Sequence, residues 1–202
     1  MPVLTVSRQF GAGGRTLGKR VAEQMSYPLV DENIVQMIAE RAKVSQNWVR
    51  SIEKEAGGSL LKFISYVVPK RYVAQILDDT RGYMDEEVYV NTLYEVINEL
   101  AREGDCVIVG RGGQYILRDN PAARHVLLVS DLEHRINFMM EHYRLREDQA
   151  KTVVRVREKR RVNLYRKFGR EDYNDPHLYE MVLNMSKISM DKAVELVCQL
   201  LQ

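Results

Sequence analysis

The chain has 202 residues, 45% of them hydrophobic and 29% charged, and its 30 Lys and Arg against 28 Asp and Glu leave a net charge of +2. That length suits one α/β domain with inserted lobes, or at most two small domains, and is enough for a sizeable core. A charge so near neutral gives no argument for a nucleic-acid partner, and the longest apolar run, near Leu60 to Val68, is too short to span a bilayer. Cys106 and Cys198 sit far apart in apolar stretches without a C-x-x-C spacing, and are expected as buried thiols in a reducing compartment. His125, His134, His142 and His177 show no zinc-ligand spacing. No charged leader with an apolar core opens the chain, so a cytoplasmic location is expected.

Val3 to Ser7 is a short β-prone run that feeds the loop Phe10-Gly11-Ala12-Gly13-Gly14-Arg15-Thr16, and an amphipathic segment follows from Leu17 to Met25. A strand, a glycine loop and a helix start in that order build a phosphate cradle, because glycines turn backbone N–H groups inward and the helix N-terminus adds partial positive charge. Against the pattern G-x-x-x-x-G-K-[ST], Gly14 and Thr16 match literally, Arg15 takes the lysine's place and Gln9 falls on the first glycine. A glycine-rich β–α turn without a ligand is the plainer alternative. Gly18 points to close packing of this helix on a sheet.

Tyr27 to Val30 is expected as a second strand ending at Asp31, which either caps the next helix, Glu32 to Ala42, or serves as a ligand group at a strand end. From Ser45 to Tyr83 nothing reads as a strand; short helices are expected at Ser45 to Glu55, Leu60 to Val68 and Arg71 to Leu77. This excursion either covers the sheet or forms a mobile lobe over a second substrate. The stripe Tyr89, Val90, Leu93, Val96, Ile97, Leu100 and Ala101 predicts a helix from Asp85 to Glu103, stopped at Gly104. Cys106 to Val109 is a buried strand running into a second glycine loop, Gly110-Arg111-Gly112-Gly113. His125 to Val129 is a fourth strand, with Asp131 placed to cap the next helix. The basic run Arg155-Val156-Arg157-Glu158-Lys159-Arg160-Arg161 reads either as a solvated helix face or as guanidinium groups converging on phosphates. Tyr179 to Met185 is a fifth strand, and Ser189 to Leu201 closes the chain as an amphipathic helix. Five apolar strands interleaved with helices predict a parallel sheet covered on both faces.

Taken together, Ser7-Arg8-Gln9-Phe10-Gly11-Ala12-Gly13-Gly14-Arg15-Thr16, Gly110-Arg111, the late arginines and the ending Tyr179 to Asn184 make the chain resemble the cytidylate kinase-like family of P-loop nucleoside monophosphate kinases. The resemblance implies a P-loop NTPase-type three-layer α/β sandwich with strand order 2-3-1-4-5, a single domain over 1–202, a helical acceptor lobe at 45–83 and a lid at 155–175. It implies transfer of the γ-phosphoryl group of ATP, with Mg²⁺, to CMP or dCMP by default. Gly11, Ala12, Gly13, Gly14, Arg15 and Thr16 would hold the ATP phosphates, with Arg15 replacing the usual lysine and Thr16 ligating Mg²⁺. Asp31 and Arg111 would bind the acceptor, and Arg157, Arg160 and Arg161 would be the lid arginines. Two departures stand out: Gly112 occupies the place of the aspartate that follows Arg111 in well-characterised cytidylate kinases, and Met37 lies near the position of an arginine. A nucleotide-binding regulatory protein and a kinase for a non-nucleotide small molecule therefore remain as alternatives. A nucleic-acid-binding face is disfavoured, since the basic run lacks interleaved aromatics. No membrane partner is expected, and an oligomer is compatible with an apolar part of the helical lobe.

Overall fold

The computed structural model describes residues 2–31, 33–41, 49–50 and 79–202. Among these, β1 (Val3–Arg8), β2 (Leu29–Val30), β3 (Cys106–Val109), β4 (Ala123–Val129) and β5 (Met181–Asn184) form one sheet in the order β2-β3-β1-β4-β5. Every neighbouring pair is parallel. The expected strand order and fold class are thus observed. The helices are α1 (Gly14–Met25), α2 (Asn33–Arg41), α3 (Asp79–Glu103), the single turn α4 (Gly113–Ile116), α5 (Leu132–Tyr143), α6 (Glu147–Lys167) and α7 (Met190–Leu200). The expected helices within 51–78 lie outside the described residues.

Alternation along the strands explains the layers. In β3, Val107 and Val109 pack with Leu4, Val6, Leu17, Val21 and Val194 under α1 and α7. Cys106 and Ile108 face the other way, into a core with Ile34, Ile38, Tyr89, Leu93 and Ile97 of α2 and α3. A side-chain period of two makes each strand serve both faces, so β3 reads as a continuous apolar run. A Cβ on Gly18 would lie 2.8 Å from Val109 Cγ2, so this glycine sets how closely α1 approaches the sheet. Burial of each such Leu or Val removes about 1.5–3 kcal/mol of apolar exposure.

Element ends differ from expectation in instructive ways. α3 begins at Asp79 rather than Asp85, and stops where Gly104, at φ 75°, donates its N–H to Leu100 O at 3.1 Å. Strand β5 is shorter than expected, because Pro176–Leu178 forms a 3₁₀ turn and Glu180 instead accepts the His125 N–H at 2.6 Å. Asp131 does stand at the N-cap of α5, but its carboxylate makes no capping bond; the helix entry is held by Ser186 Oγ, which accepts the Asp131 N–H at 2.8 Å. The basic run from Arg155 is the middle of α6, which starts at Glu147, where Gln149 Oε1 accepts the Arg146 N–H at 3.0 Å.

Candidate active site

A cleft of about 750 Å³ opens along the carboxyl ends of the strands, where open α/β sheets place ligands. Its lining gathers the first glycine loop, Asp31 after β2, Arg111 after β3, one face of α5 and the inner face of α6. Among the described residues seven arginines line it (Arg8, Arg15, Arg50, Arg111, Arg157, Arg160 and Arg161), against Asp31 as the single carboxylate. So many guanidinium groups with so little countercharge repel one another unless an anion sits among them.

The floor is the loop between β1 and α1. Gly11 and Gly13 have φ of 90° and 83°, the left-handed region in which glycine is free of steric cost. Neighbours enforce the choice: a Cβ on Gly11 would lie 2.9 Å from both Cβ and O of Arg135, and one on Gly13 would lie 2.6 Å from Met190 Cε. Helix α1 opens at Gly14 without a side-chain cap and without an acidic residue in its first turn. Its leading N–H groups therefore lack a side-chain acceptor and keep the positive end of the helix dipole turned to the cleft. Gly11, Gly13, Gly14, Arg15 and Thr16 all line the space, and Ala12 is buried behind them.

Arg15 lies at the rim. Its side chain is 58% exposed and its Nε lies 2.9 Å from Asp31 Oδ2, so the expected lysine substitute is tied to the end of β2. Arg8, at the end of β1, is the cation that points inward. Its stem crosses the Cα face of Gly14, where a Cβ would come within 2.6 Å of Arg8 Cγ. Its guanidinium presses on Gly110, where a Cβ would collide with Nη1. Burial, the largest influence, lowers the Arg8 pKa from its ordinary value; Arg111 and Arg161 push the same way, while Tyr165 and Asp31 oppose.

The second glycine loop turns sharply. Gly110, Arg111 and Gly112 all take left-handed φ, at 77°, 58° and 72°. For Arg111 that conformation costs about 1–2 kcal/mol, a strain that aims its side chain into the cleft. Gly112 is boxed in: a Cβ would lie 2.8 and 2.9 Å from Phe168 Cζ and Cε2. An aspartate there meets both a left-handed dihedral that strains a side chain and an aromatic wall.

From α6, Arg161 is the anchored arginine. Its side chain is 8% exposed, and it donates through Nε and Nη2 to Glu158 Oε1 at 3.1 and 2.6 Å and through Nη2 to Asn174 Oδ1 at 3.2 Å. Its guanidinium lies over the rings of Tyr165 and Tyr173, 5.4 and 4.9 Å from their centroids. The buried Nη1 has no hydrogen-bond partner among the described residues. Arg157 and Arg160 also line the cleft, and burial followed by the repulsion of Arg157 lowers the pKa of Arg160. Glu158, the one acid in the basic run, reaches back to the floor: its Oε2 accepts the Phe10 N–H at 2.7 Å. Phe10 joins the apolar cluster of Ile136, Met139, Ala150 and Val154 between α5 and α6, so the loop is packed onto the helical hairpin.

Three of these residues carry no clear signal in the sequence. Arg8 stands in the quoted motif without a role of its own; Glu158 is one acid inside a run of positive charge; Phe168 offers no local signal. A metal site fits in a limited sense. No group of three or more His, Cys, Asp or Glu could hold an ion among the described residues. The Thr16 hydroxyl, in the third helical position and on the cleft wall, is the hard oxygen that Mg²⁺ takes when phosphates and water supply its other ligands. Among the described residues no helix is long and apolar enough to cross a membrane.

The sheet order, the glycine loop between β1 and α1 and the arginine-lined cleft define a P-loop kinase-type fold. The chain belongs to the cytidylate kinase-like family, which matches it over residues 3–187. Among solved structures, an uncharacterized protein from Eubacterium ventriosum is similar at 19% identity and a TM-score of 0.64, covering 100% of this chain and 98% of the other. A shikimate kinase from Acinetobacter baumannii, in complex with shikimate, is similar at 15% identity and a TM-score of 0.51 over 99% and 92% of the two chains. A gluconokinase from Sinorhizobium meliloti matches at 13% identity and a TM-score of 0.51 over 99% and 91%. At such identities the likeness is one of fold. No curated protein matches the chain in sequence.

Proposed function

We propose that this protein transfers the γ-phosphoryl group of ATP to a nucleoside monophosphate, with CMP or dCMP as the default acceptor. The observation that carries the reading is the convergence of an uncapped, glycine-lined helix start with seven arginines in one cleft. An oxygen of the acceptor's phosphate attacks the γ-phosphorus, the bond to the β,γ-bridging oxygen breaks, and ADP leaves with the electron pair. Such a transfer needs in-line positioning and charge neutralisation more than covalent help from the protein.

In this reading the amides from Gly11 to Thr16 hold the donor phosphates. Thr16 would hold Mg²⁺, which neutralises charge shared between the β- and γ-phosphates when bound. Arg111, aimed inward by its backbone, and Asp31, at the end of β2, face the acceptor. Arg161, rigid in its frame of Glu158, Asn174 and two tyrosines, stabilises the transferring group, and Arg157 and Arg160 add charge from the same helix. The Arg15–Asp31 pair fixes the first loop to the rim beside the acceptor.

A second reading has a specific support. Gly112 lacks the aspartate's carboxylate and has the Phe168 ring pressed against it, which leaves open a non-nucleotide acceptor such as an anionic small molecule. Turnover with a panel of monophosphates, ATP and Mg²⁺ tests the first reading. Transfer to one pyrimidine monophosphate upholds it, and transfer only to an anionic non-nucleotide upholds the second.

A further inference from the structure

The P-loop pattern needs a lysine directly after the glycine that turns the chain into its helix. Here that glycine is Gly13, the left-handed N-cap of α1, and the residue directly after it is Gly14, which has no side chain to offer. Arg15 is one residue further on, and its side chain is half exposed and paired with Asp31. The literal match of Gly14-Arg15-Thr16 to G-K-[ST] is thus one position out of step with the geometry, and the Mg²⁺ role of Thr16 rests on its place on the cleft wall, not on the motif.

The space that a side chain at residue 14 would fill is already taken. An ideal Cβ there would lie 2.6, 2.9 and 2.9 Å from Cγ, Cβ and Cδ of Arg8, so the stem of Arg8 runs where a lysine stem would leave the helix. From that line its guanidinium continues to Gly110 and into the cleft. Among the described residues Arg8 makes no hydrogen bond and no ion pair. It is a cation held by packing against two glycines, facing a cleft rich in other arginines. A guanidinium in that setting costs free energy until an anion arrives.

We propose that Arg8, not Arg15, supplies the cation that P-loop kinases take from the lysine of their loop, reaching the β- and γ-phosphates of a nucleoside triphosphate from the end of β1. This rests on the kinase reading above. As the acceptor oxygen bonds to the γ-phosphorus and the bond to the bridging oxygen breaks, negative charge grows on ADP, and the Arg8 guanidinium lies on the side of the loop able to meet it. The pairing of Gly14 with Arg8 is then one device in two parts: the glycine gives up the side chain, and the arginine fills both its volume and its charge. A planar fork takes two phosphate oxygens in one fixed bidentate geometry, whereas a lysine acts as a compact point charge.

Calorimetric titration of the full chain with ATP, ADP and AMP in the presence of Mg²⁺ tests this, on the wild type, Arg8→Met and Arg15→Ala. Methionine keeps most of the stem that packs on Gly14 and removes only the charge, and the melting transition verifies the fold. Arg8→Met should bind ATP and ADP roughly ten- to a hundredfold more weakly, the factor carried by a lost charge-assisted hydrogen bond, and AMP with little change. Arg15→Ala should lose less than Arg8→Met. The exchanged pair Arg8→Gly with Gly14→Lys should recover affinity for ATP that Arg8→Gly alone lacks, and the Arg8→Met comparison decides the matter if the exchanged protein does not fold. A wild type that binds ATP beside an Arg8→Met that binds it equally well, or an Arg15→Ala that loses as much or more, overturns the assignment alone. A wild type that binds no ATP overturns the kinase reading and this role with it.

Discussion

Glu158→Gln is a sharp perturbation because one carboxylate holds helix α6, the first glycine loop and the buried arginine together. Its two oxygens take Arg161 Nε and Nη2 at 3.1 and 2.6 Å and the Phe10 N–H at 2.7 Å, with Arg135 Nη1 at 3.9 Å. Glu158 is 25% exposed, and its partners Arg161 and Arg135 are 8% and 13% exposed. Glutamine keeps the shape and one acceptor but removes the charge that offsets two buried guanidinium groups. Breaking a buried pair from one side costs about 3–5 kcal/mol, and the partial exposure of Glu158 favours the lower end, about 3 kcal/mol. For a chain of this size that is roughly 6–12 °C in Tm by thermal unfolding. Sulfate should stabilise the variant more than the wild type, since an added anion replaces the missing one. The double change with Arg161→Met should show a coupling of about 1–3 kcal/mol. A Tm within about 2 °C of the wild type, with no difference in sulfate response, would refute the clasp.

Other expectations follow from single contacts. Gly112→Asp should destabilise by about 2–5 kcal/mol, the sum of a left-handed φ and an overpacked ring, and Phe168→Ala beside it should recover part of the loss in urea unfolding; an unchanged midpoint would show that the loop relaxes instead. Burial lowers the pKa of His125, whose Nδ1 lies 2.6 Å from Thr5 Oγ1, so the unfolded chain binds a proton more readily than the folded one below about pH 6.5. Stability should therefore rise between pH 5 and 7, and His125→Gln should flatten that rise; an identical slope in both proteins would remove His125 as its source. Burial pushes the Cys106 thiol up to about 11, so stability held at pH 9 should decline toward pH 11 and the native thiol should resist alkylation at pH 8, where rapid labelling would contradict its burial.

Local signals account for how much of this was legible in the chain. The alternation that lets Val107 and Val109 face one layer and Cys106 and Ile108 the other leaves a plain apolar run, and the stripe from Tyr89 to Ala101 is helical by spacing alone. The glycine loops announced themselves because left-handed turns at Gly11, Gly13, Gly110 and Gly112 need that residue. Long-range convergence left no such trace. Glu158 and Phe10 meet across 148 positions, and nothing near either predicts the bond. Arg8 and Gly14 were both in view, yet only the packing of one across the other shows which arginine faces inward. Literal motif matching favoured Arg15 because it ignores where the helix begins.

The central claim is tested most directly by following ADP formation and the phosphorylated product together, with ATP and Mg²⁺ and each of CMP, dCMP, UMP, AMP and GMP in turn, beside a control without acceptor. The account predicts ADP release that depends on the acceptor, with a diphosphate formed in equal amount from a pyrimidine monophosphate. ATP bound to the protein without transfer to any of the five would contradict it.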